Sequence, residues 1–316
     1  MSVSFSVVIV THLGGPLLEA CLASVYAQSE LPSALLVVVS NHALSVGAPS
    51  LQLGENVGYA RAANAGVAAV EGDVLLLNDD TRLDPECLAA LARARRREGL
   101  YAPRIVLADG TERLDNLGHG FFPDGFVWAR GRLGPTAPPP GVPGAASGAA
   151  VLVTRSTWND LGGFDARFGA YGEDIDLSLR WMRRGGGVVP VPDAVVYHHL
   201  GATYGRTGPE KLRQIERNRV RSAVRSLPWT ALVSMPVWTT ARLALFATLA
   251  ARGHGPGQDV GNDARLAAVL GILDGVRDAP EWWADRRAER PTWRRGEVAM
   301  WRALWRGRAR WEDVRR

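Results

Sequence analysis

Three short stretches place acids and imidazoles where they could do chemistry. The first is Asn78-Asp79-Asp80, directly after the apolar run Val74-Leu75-Leu76-Leu77. Carboxylates at the end of a buried strand need a cation or hydrogen bonds to offset desolvation. Oxygen ligands of this kind suit hard divalent ions such as Mg²⁺ and Mn²⁺, which share them with substrate phosphates. Asn and Asp also favour turns, so a plain strand-to-turn transition is the alternative. The second stretch is Gly172-Glu173-Asp174-Ile175-Asp176-Leu177, with three acids in four positions. A helix N-terminus stabilises such acids through its dipole, and a carboxylate there can also act as a general base toward an attacking hydroxyl. The third is Tyr197-His198-His199 after a β-type run. A neutral imidazole can complete a metal site, although histidines also serve structural roles.

The elements that must position these groups follow from hydrophobic periodicity. Phe5 to Val10, Leu35 to Val39 and Val74 to Leu77 read as buried strands, separated by helical patterns that open at Pro16 and run over Ala60 to Val70. Pro85 opens a further helix to about Arg97. Such alternation predicts a parallel sheet covered by helices, with ligands at the carboxyl ends of the strands. The residues after Val10, Val39 and Leu77 therefore become the candidates. Pro135 to Pro143 is expected as an exposed loop. Ala149 to Thr154 reads as a strand and Asp174 to Arg184 as a helix. Val188 to Val191 and Ala194 to Tyr197 read as two short strands.

Composition bounds the rest. The 316 residues are 47% hydrophobic and 22% charged, ordinary for a globular chain. The formal charge is +5, and of the 37 basic residues Lys211 is the single lysine. That excess suits phosphate-bearing partners but is too diffuse to choose among a nucleotide, a nucleic acid and an anionic membrane. Cys21 and Cys87 form no CxxC pair, as in a reduced cytosolic protein. The N-terminal residues read as a strand rather than a signal peptide. From about Pro209 the character changes: a basic helix over Lys211 to Arg225, a strongly apolar stretch over Pro228 to Ala251, and a tail rich in tryptophan and arginine. Pro236 is expected to break or kink the apolar stretch, and Arg242 makes a bilayer crossing costly. Two short amphipathic helices at a membrane surface fit this composition. Packing on the catalytic domain or on a second subunit is the alternative.

Together the motifs resemble glycosyltransferase family two, particularly its rhamnosyltransferase-like branch, over about Ser6 to Thr203. The resemblance rests on five stretches in order. They are Val7 to Thr11 with Cys21 to Val25 and Gln28, then Glu55 to Ala60 with Asn64 and Gly66, then Leu76 to Thr81 with Leu83-Asp84-Pro85. The acceptor-side block follows: Ser147 to Ala150, Gly162 to Asp165, and Tyr171 to Leu177 with Arg180. Val195 to His198 with Gly201 and Thr203 closes the set. The resemblance implies an α/β fold of the GT-A type, a Rossmann-like nucleotide-binding sheet joined to an acceptor-binding half. It divides the chain into a catalytic domain over 1–207 and a helical region over 208–316. It implies an inverting transferase that uses a nucleotide-sugar donor, dTDP-rhamnose as first choice, with a glycan or lipid-linked saccharide as acceptor. Asp80 and His198 would hold Mn²⁺ or Mg²⁺, Asp174 would be the base, and Glu173 would shape the acceptor site. Thr11, Ser40, Asn56, Gly58, Asn64, Asn78 and Asp79 would line the nucleotide sugar. The same reading expects no nucleic-acid partner, leaves room for a homo-oligomer, and places the enzyme in the cytoplasm at the inner membrane face.

One departure concerns the nucleotide. The family usually has Asp-Asn after the second strand, and here the chain reads Val39-Ser40-Asn41-His42. Ser40 can hydrogen-bond but cannot be an anionic acceptor. Two other readings compete. A dinucleotide oxidoreductase needs a glycine-rich turn, which Thr11-His12-Leu13-Gly14-Gly15-Pro16 does not provide. A non-catalytic membrane-surface or nucleotide-binding protein on a degenerate transferase fold would suit the tail, but leaves Asp80 and Asp174 without a purpose.

Overall fold

A computed structural model describes residues 4–199, 208–253 and 260–314. Gly201 and Thr203 of the expected closing motif lie outside them, as does the Trp311 side chain. The N-terminal half follows the alternation read from the sequence. β1 (Phe5–Thr11), α1 (Pro16–Tyr26), β2 (Leu35–Val39), β3 (Ser50–Gln52), α2 (Tyr59–Ala68) and β4 (Asp73–Asn78) succeed one another. β5 (Thr81–Leu83) and α3 (Cys87–Ala94) complete this half. α3 is shorter than the pattern suggested, because Arg95 turns to extended backbone and pairs with Asp73 at 2.6 Å.

Among the described residues nine strands form one sheet, and it is mixed rather than parallel. β3, β2, β1 and β4 run parallel. β10 (Ala150–Val153) then inserts antiparallel between β4 and β6 (Leu100–Leu107). β7 (Leu114–Asn116) pairs with β6, while β8 (His119–Phe121) and β9 (Val127–Ala129) form a separate hairpin. The two expected strands near residue 190 are one, β11 (Val188–His198), with a bulge between Val191 and Val195. Pro190 and Pro192 remove two amides from its ladder, which is why the sequence pattern looked interrupted.

Apolar side chains cover both faces of the sheet. One face packs on α1 and α3 through Leu18, Cys21, Leu88 and Leu91. The other packs on α2, on Trp158 of α4 (Arg155–Leu161), and on Leu177 of α5 (Glu173–Arg183). Gly66 of α2 lies against Val8 and Val38, where a Cβ would come within 2.6 Å of both side chains.

Composition changes near residue 208, but the packing does not divide there. α6 (Pro209–Ser226), α7 (Trp229–Ala251), α8 (Asn262–Glu289), α9 (Glu297–Arg306) and α10 (Trp311–Val314) form the C-terminal third. Phe121, Ile175, Leu179 and Met182 share a core with Ala223, Leu227, Met300 and Leu304. Phe168 packs on Trp282 of α8, with ring centroids 5.0 Å apart. α6 and α8 approach closely at Gly271 and Gly275, where a Cβ on Gly271 would sit 2.2 Å from the Arg213 carbonyl oxygen. α7 continues through Pro236 as one helix instead of two. Its Arg242 is buried and pairs with Asp124 at 2.8 Å and Glu216 at 2.9 Å, while Arg219 pairs with the same two acids. Removing one member of such a buried network costs about 3–5 kcal/mol, because an uncompensated charge stays behind. These contacts hold α7 after the proline, and Ala231 in the shared core holds it before.

Candidate active site

The parallel register brings the carboxyl ends of β1, β2 and β4 together: Thr11 lies beside Val39, and Val10 beside Asn78. β5 pairs antiparallel with β11 so that Thr81 faces His198. Asp80, one residue earlier, thereby meets the histidine. His198 Nε2 lies 3.3 Å from Asp80 Oδ1, and His198 Nδ1 donates to Asp115 Oδ2 at 2.9 Å. Asp115 on β7 also receives Arg132 at 2.7 Å. A carboxylate that holds the second ring nitrogen fixes the tautomer and orientation of a metal-binding histidine. Burial opposes charge on His198, but its hydrogen bond to Asp115 and the nearby Asp80 carboxylate outweigh it and raise its pKa to about 9. Burial likewise opposes charge on Asp115, and His198 and Arg132 hold it below the usual carboxylate range.

These residues fit a divalent cation. Asp80 Oδ1 is buried and has no hydrogen bond of its own, so one acceptor faces the imidazole without a donor. Among the described residues no three His, Cys, Asp or Glu side chains are arranged to hold an ion between them. Asp80 and His198 would thus hold the ion together with diphosphate oxygens and water, the usual arrangement for Mg²⁺. Its binding requires His198 to lose its proton.

Asp79 faces elsewhere. It accepts from the Thr11 hydroxyl, which in turn accepts from the Gly14 amide at 3.0 Å. Burial pushes the Asp79 pKa up despite the Thr11 hydrogen bond. Thr11 therefore positions Asp79, and Asn78 holds the turn through its carbonyl, which accepts from Thr81 at 2.7 Å. Ser40 is buried; its hydroxyl accepts from the Val57 amide at 3.3 Å, and its carbonyl accepts from His12 Nδ1 at 2.8 Å. Where the family has an acid, this chain has a link between β2 and the loop before α2. Asn56 caps that loop by accepting from Gly58 at 3.0 Å. Gly58 has φ +79° and packs against the Gly169 backbone, where a Cβ would come within 3.1 Å. Asn64 does not face the nucleotide side: its amide clamps the Phe164 backbone, donating at 2.8 Å and accepting at 3.0 Å. It fastens α2 to the acceptor block.

The acceptor acids sit at the start of α5. Asp174 Oδ2 accepts from the Gly148 amide at 2.6 Å and Oδ1 from the Ile175 amide at 2.8 Å, which fixes the carboxylate plane. Glu173 is buried, its Oε2 has no hydrogen bond, and burial together with the Asp174 charge raises its pKa well above normal. Both influences favour its neutral form. Asp176 is the structural member of the three, paired with Arg180 at 2.7 Å and Arg225 at 3.3 Å.

Three groups that the sequence reading did not single out lie around this arrangement. Tyr59 donates to the Gly148 carbonyl at 3.0 Å. Burial first, and then the charges of Glu173, Asp174, Asp80 and Asp79, raise its pKa. His119 on β8 has a buried Nδ1 without a hydrogen bond. Burial lowers its pKa against the opposing pull of Asp174 and Asp115. The third is Asn218 of α6, fully buried, whose side-chain amide donates to the carbonyls of Phe168, Ala170 and Tyr171 at 3.1, 3.0 and 2.6 Å. This one residue holds the loop that presents Glu173 and Asp174. Asn218→Ala leaves these buried carbonyls without their partner, so we expect a loss of about 1–3 kcal/mol in stability. A larger fall in kcat than in nucleotide affinity should accompany it. Denaturant unfolding and steady-state kinetics check both. The one sequence signal for Asp115 was an acid set between Leu114 and Leu117.

Residues 74–252 match the profile described as glycosyl transferase family group 2, and residues 6–140 that of glycosyl transferase family 2. An N-acetylglucosaminyl-diphospho-decaprenol L-rhamnosyltransferase of Mycobacterium tuberculosis is 31% identical over 242 residues, covering 63% of this chain and 77% of that protein. Among solved structures, the mannosyltransferase PcManGT from Pyrobaculum calidifontis, in complex with GDP-Man and Mn²⁺, superposes with a TM-score of 0.53. It is 16% identical, with 97% of this chain and 87% of that one covered. Residues 1–349 of S. aureus TarS superpose equally well at 13% identity, covering 96% and 90%. With one profile spanning more than half of the sequence and a relative matched over most of its length, the chain belongs to glycosyltransferase family 2, in its rhamnosyltransferase-like branch, on a GT-A fold.

Proposed function

We propose that the protein is an inverting, divalent-metal-dependent transferase that moves a sugar, rhamnose from dTDP-rhamnose as first choice, onto a saccharide or lipid-linked saccharide of a cell-envelope glycan. The observation that carries this reading is the convergence of Asp80 Oδ1 and His198 Nε2 at 3.3 Å, with the oxygen buried and lacking a hydrogen bond. A cation bound there supplies positive charge to the departing diphosphate. Asp174, held by two backbone amides, takes the proton of the acceptor hydroxyl. The hydroxyl oxygen bonds to the anomeric carbon as the bond to the diphosphate oxygen breaks. Attack from the face opposite the leaving group inverts that carbon. Glu173, next to the base and with its Oε2 unpartnered, is placed to hydrogen-bond a second acceptor oxygen. The rhamnosyltransferase name of the mycobacterial relative supports the donor, and its diphospho-decaprenol acceptor supports a lipid-linked saccharide.

The test is a panel of nucleotide sugars with Mn²⁺ or Mg²⁺ and a polyprenyl-diphosphate N-acetylglucosamine acceptor. We expect dTDP-rhamnose to be consumed fastest, with product of inverted anomeric configuration by NMR. Consumption of no donor under any metal would favour the degenerate, non-catalytic reading.

A further inference from the structure

α7 is 23 residues long, and 11% of its most apolar window is buried. Its one charged residue, Arg242, points inward to Asp124 and Glu216. The side that faces outward therefore carries no charge, whereas a helix that meets only water normally does. Val233 and Val237 are 72% and 69% exposed, with Trp229 and Trp238 beside them on the same helix. α9 continues this surface, since the Trp301 indole donates to Thr230 Oγ at 2.7 Å. The outer side of α9 carries Trp305, 64% exposed, and the exposed Arg302 and Arg306, which form no ion pair among the described residues. Arginines of α6 are by contrast engaged: Arg213 with Asp274, Arg221 with Asp278, Arg225 with Glu289.

We propose that the outer sides of α7 and α9 dock in the plane of an anionic lipid bilayer. Indole rings favour the headgroup level, the valines enter the acyl boundary, and the unpaired guanidiniums meet lipid phosphate. The helix does not cross the bilayer, because its inner side is fastened by Ala231 in the shared core, by Arg242, and by Phe246 against Phe122 and Phe126. A second copy of the chain is a poorer occupant. A two-fold interface would set Arg302 and Arg306 against the same basic surface.

The experiment is flotation of the full-length protein with phosphatidylglycerol/phosphatidylcholine vesicles and with phosphatidylcholine alone. The wild type should float with the anionic vesicles at low salt and be released as salt rises. Arg302→Glu with Arg306→Glu should weaken anionic binding by roughly 30-fold or more. Val233→Glu with Val237→Glu should weaken it by at least about tenfold. Both pairs should retain wild-type donor hydrolysis in vesicle-free buffer, so a failed membrane assay stays distinct from a failed catalytic reading. The proposal is overturned if the wild type ignores anionic vesicles at low salt, or if both double variants float as it does. It is also overturned if light scattering shows a dimer that the valine variants split while the wild type does not float. Circular dichroism melting excludes misfolding; should the valine pair misfold, the arginine pair and the salt series decide alone.

Discussion

Asp174→Asn should lose roughly 10²- to 10⁴-fold in turnover, the usual contribution of a positioned general base. That corresponds to about 3–5 kcal/mol of transition-state stabilisation. The substitution does two things at once. It removes the basicity, and it places an NH₂ group against one of the two amides, Gly148 or Ile175, that the carboxylate accepts from. An asparagine has a single acceptor oxygen and can satisfy only one of them. Part of the loss is therefore misorientation, and Asp174→Glu, which keeps the charge but lengthens the arm, should recover some turnover. Nucleoside diphosphate affinity, measured by calorimetry, should change little, because the residue is proposed to act on the acceptor. Near-normal transfer by Asp174→Asn removes it from the role. A parallel collapse of nucleotide affinity would point to a folding defect instead.

Metal removal should be the second large effect. Excess chelator is expected to abolish transfer, and Mn²⁺ or Mg²⁺ to restore it. Asp80→Ala and His198→Ala each delete one of the two protein donors, so Mn²⁺ binding in the presence of a nucleoside diphosphate, followed by electron paramagnetic resonance, should be lost in both. Asp115→Asn tests the positioning of the imidazole. It touches no ion, yet it removes the charge that holds His198 Nδ1, and metal affinity should fall about 10- to 100-fold. Full transfer in excess chelator, or unchanged Mn²⁺ binding in the His198 variant, would remove the ion from this pair.

Much of this architecture was legible in the sequence, and the reason is range. The strands at Phe5–Thr11, Leu35–Val39 and Asp73–Asn78 announce themselves through local runs of buried β-type residues. The placement of Asp80 and Asp174 depends on the same short-range signals, a strand end and a helix start. His198 stood out as an imidazole closing a strand. What the local pattern could not carry was pairing across the chain. Asp115 and His198 are separated by 83 positions, and only the register of β6, β7 and β11 makes them partners. Asn64 looked like a nucleotide contact until packing set it against Phe164, 100 positions away.

The C-terminal third shows the same limit more sharply. Its arginines and tryptophans read as a surface composition, yet Trp282 is buried against Phe168 and most of the α6 arginines close ion pairs with acids of α8. Composition marked a boundary near residue 208. Asn218 instead reaches back to hold the loop before Glu173 and Asp174. Pro236 and Arg242 argued for a broken, surface-lying stretch; a buried network with Asp124 and Glu216 keeps one helix. The sequence by itself marked the side chains that could carry the chemistry and the strands that end beside them, because both are written in neighbouring residues. Tertiary structure alone decided which charges are neutralised and which apolar side stays open, because those outcomes depend on partners that only the packed chain brings within reach.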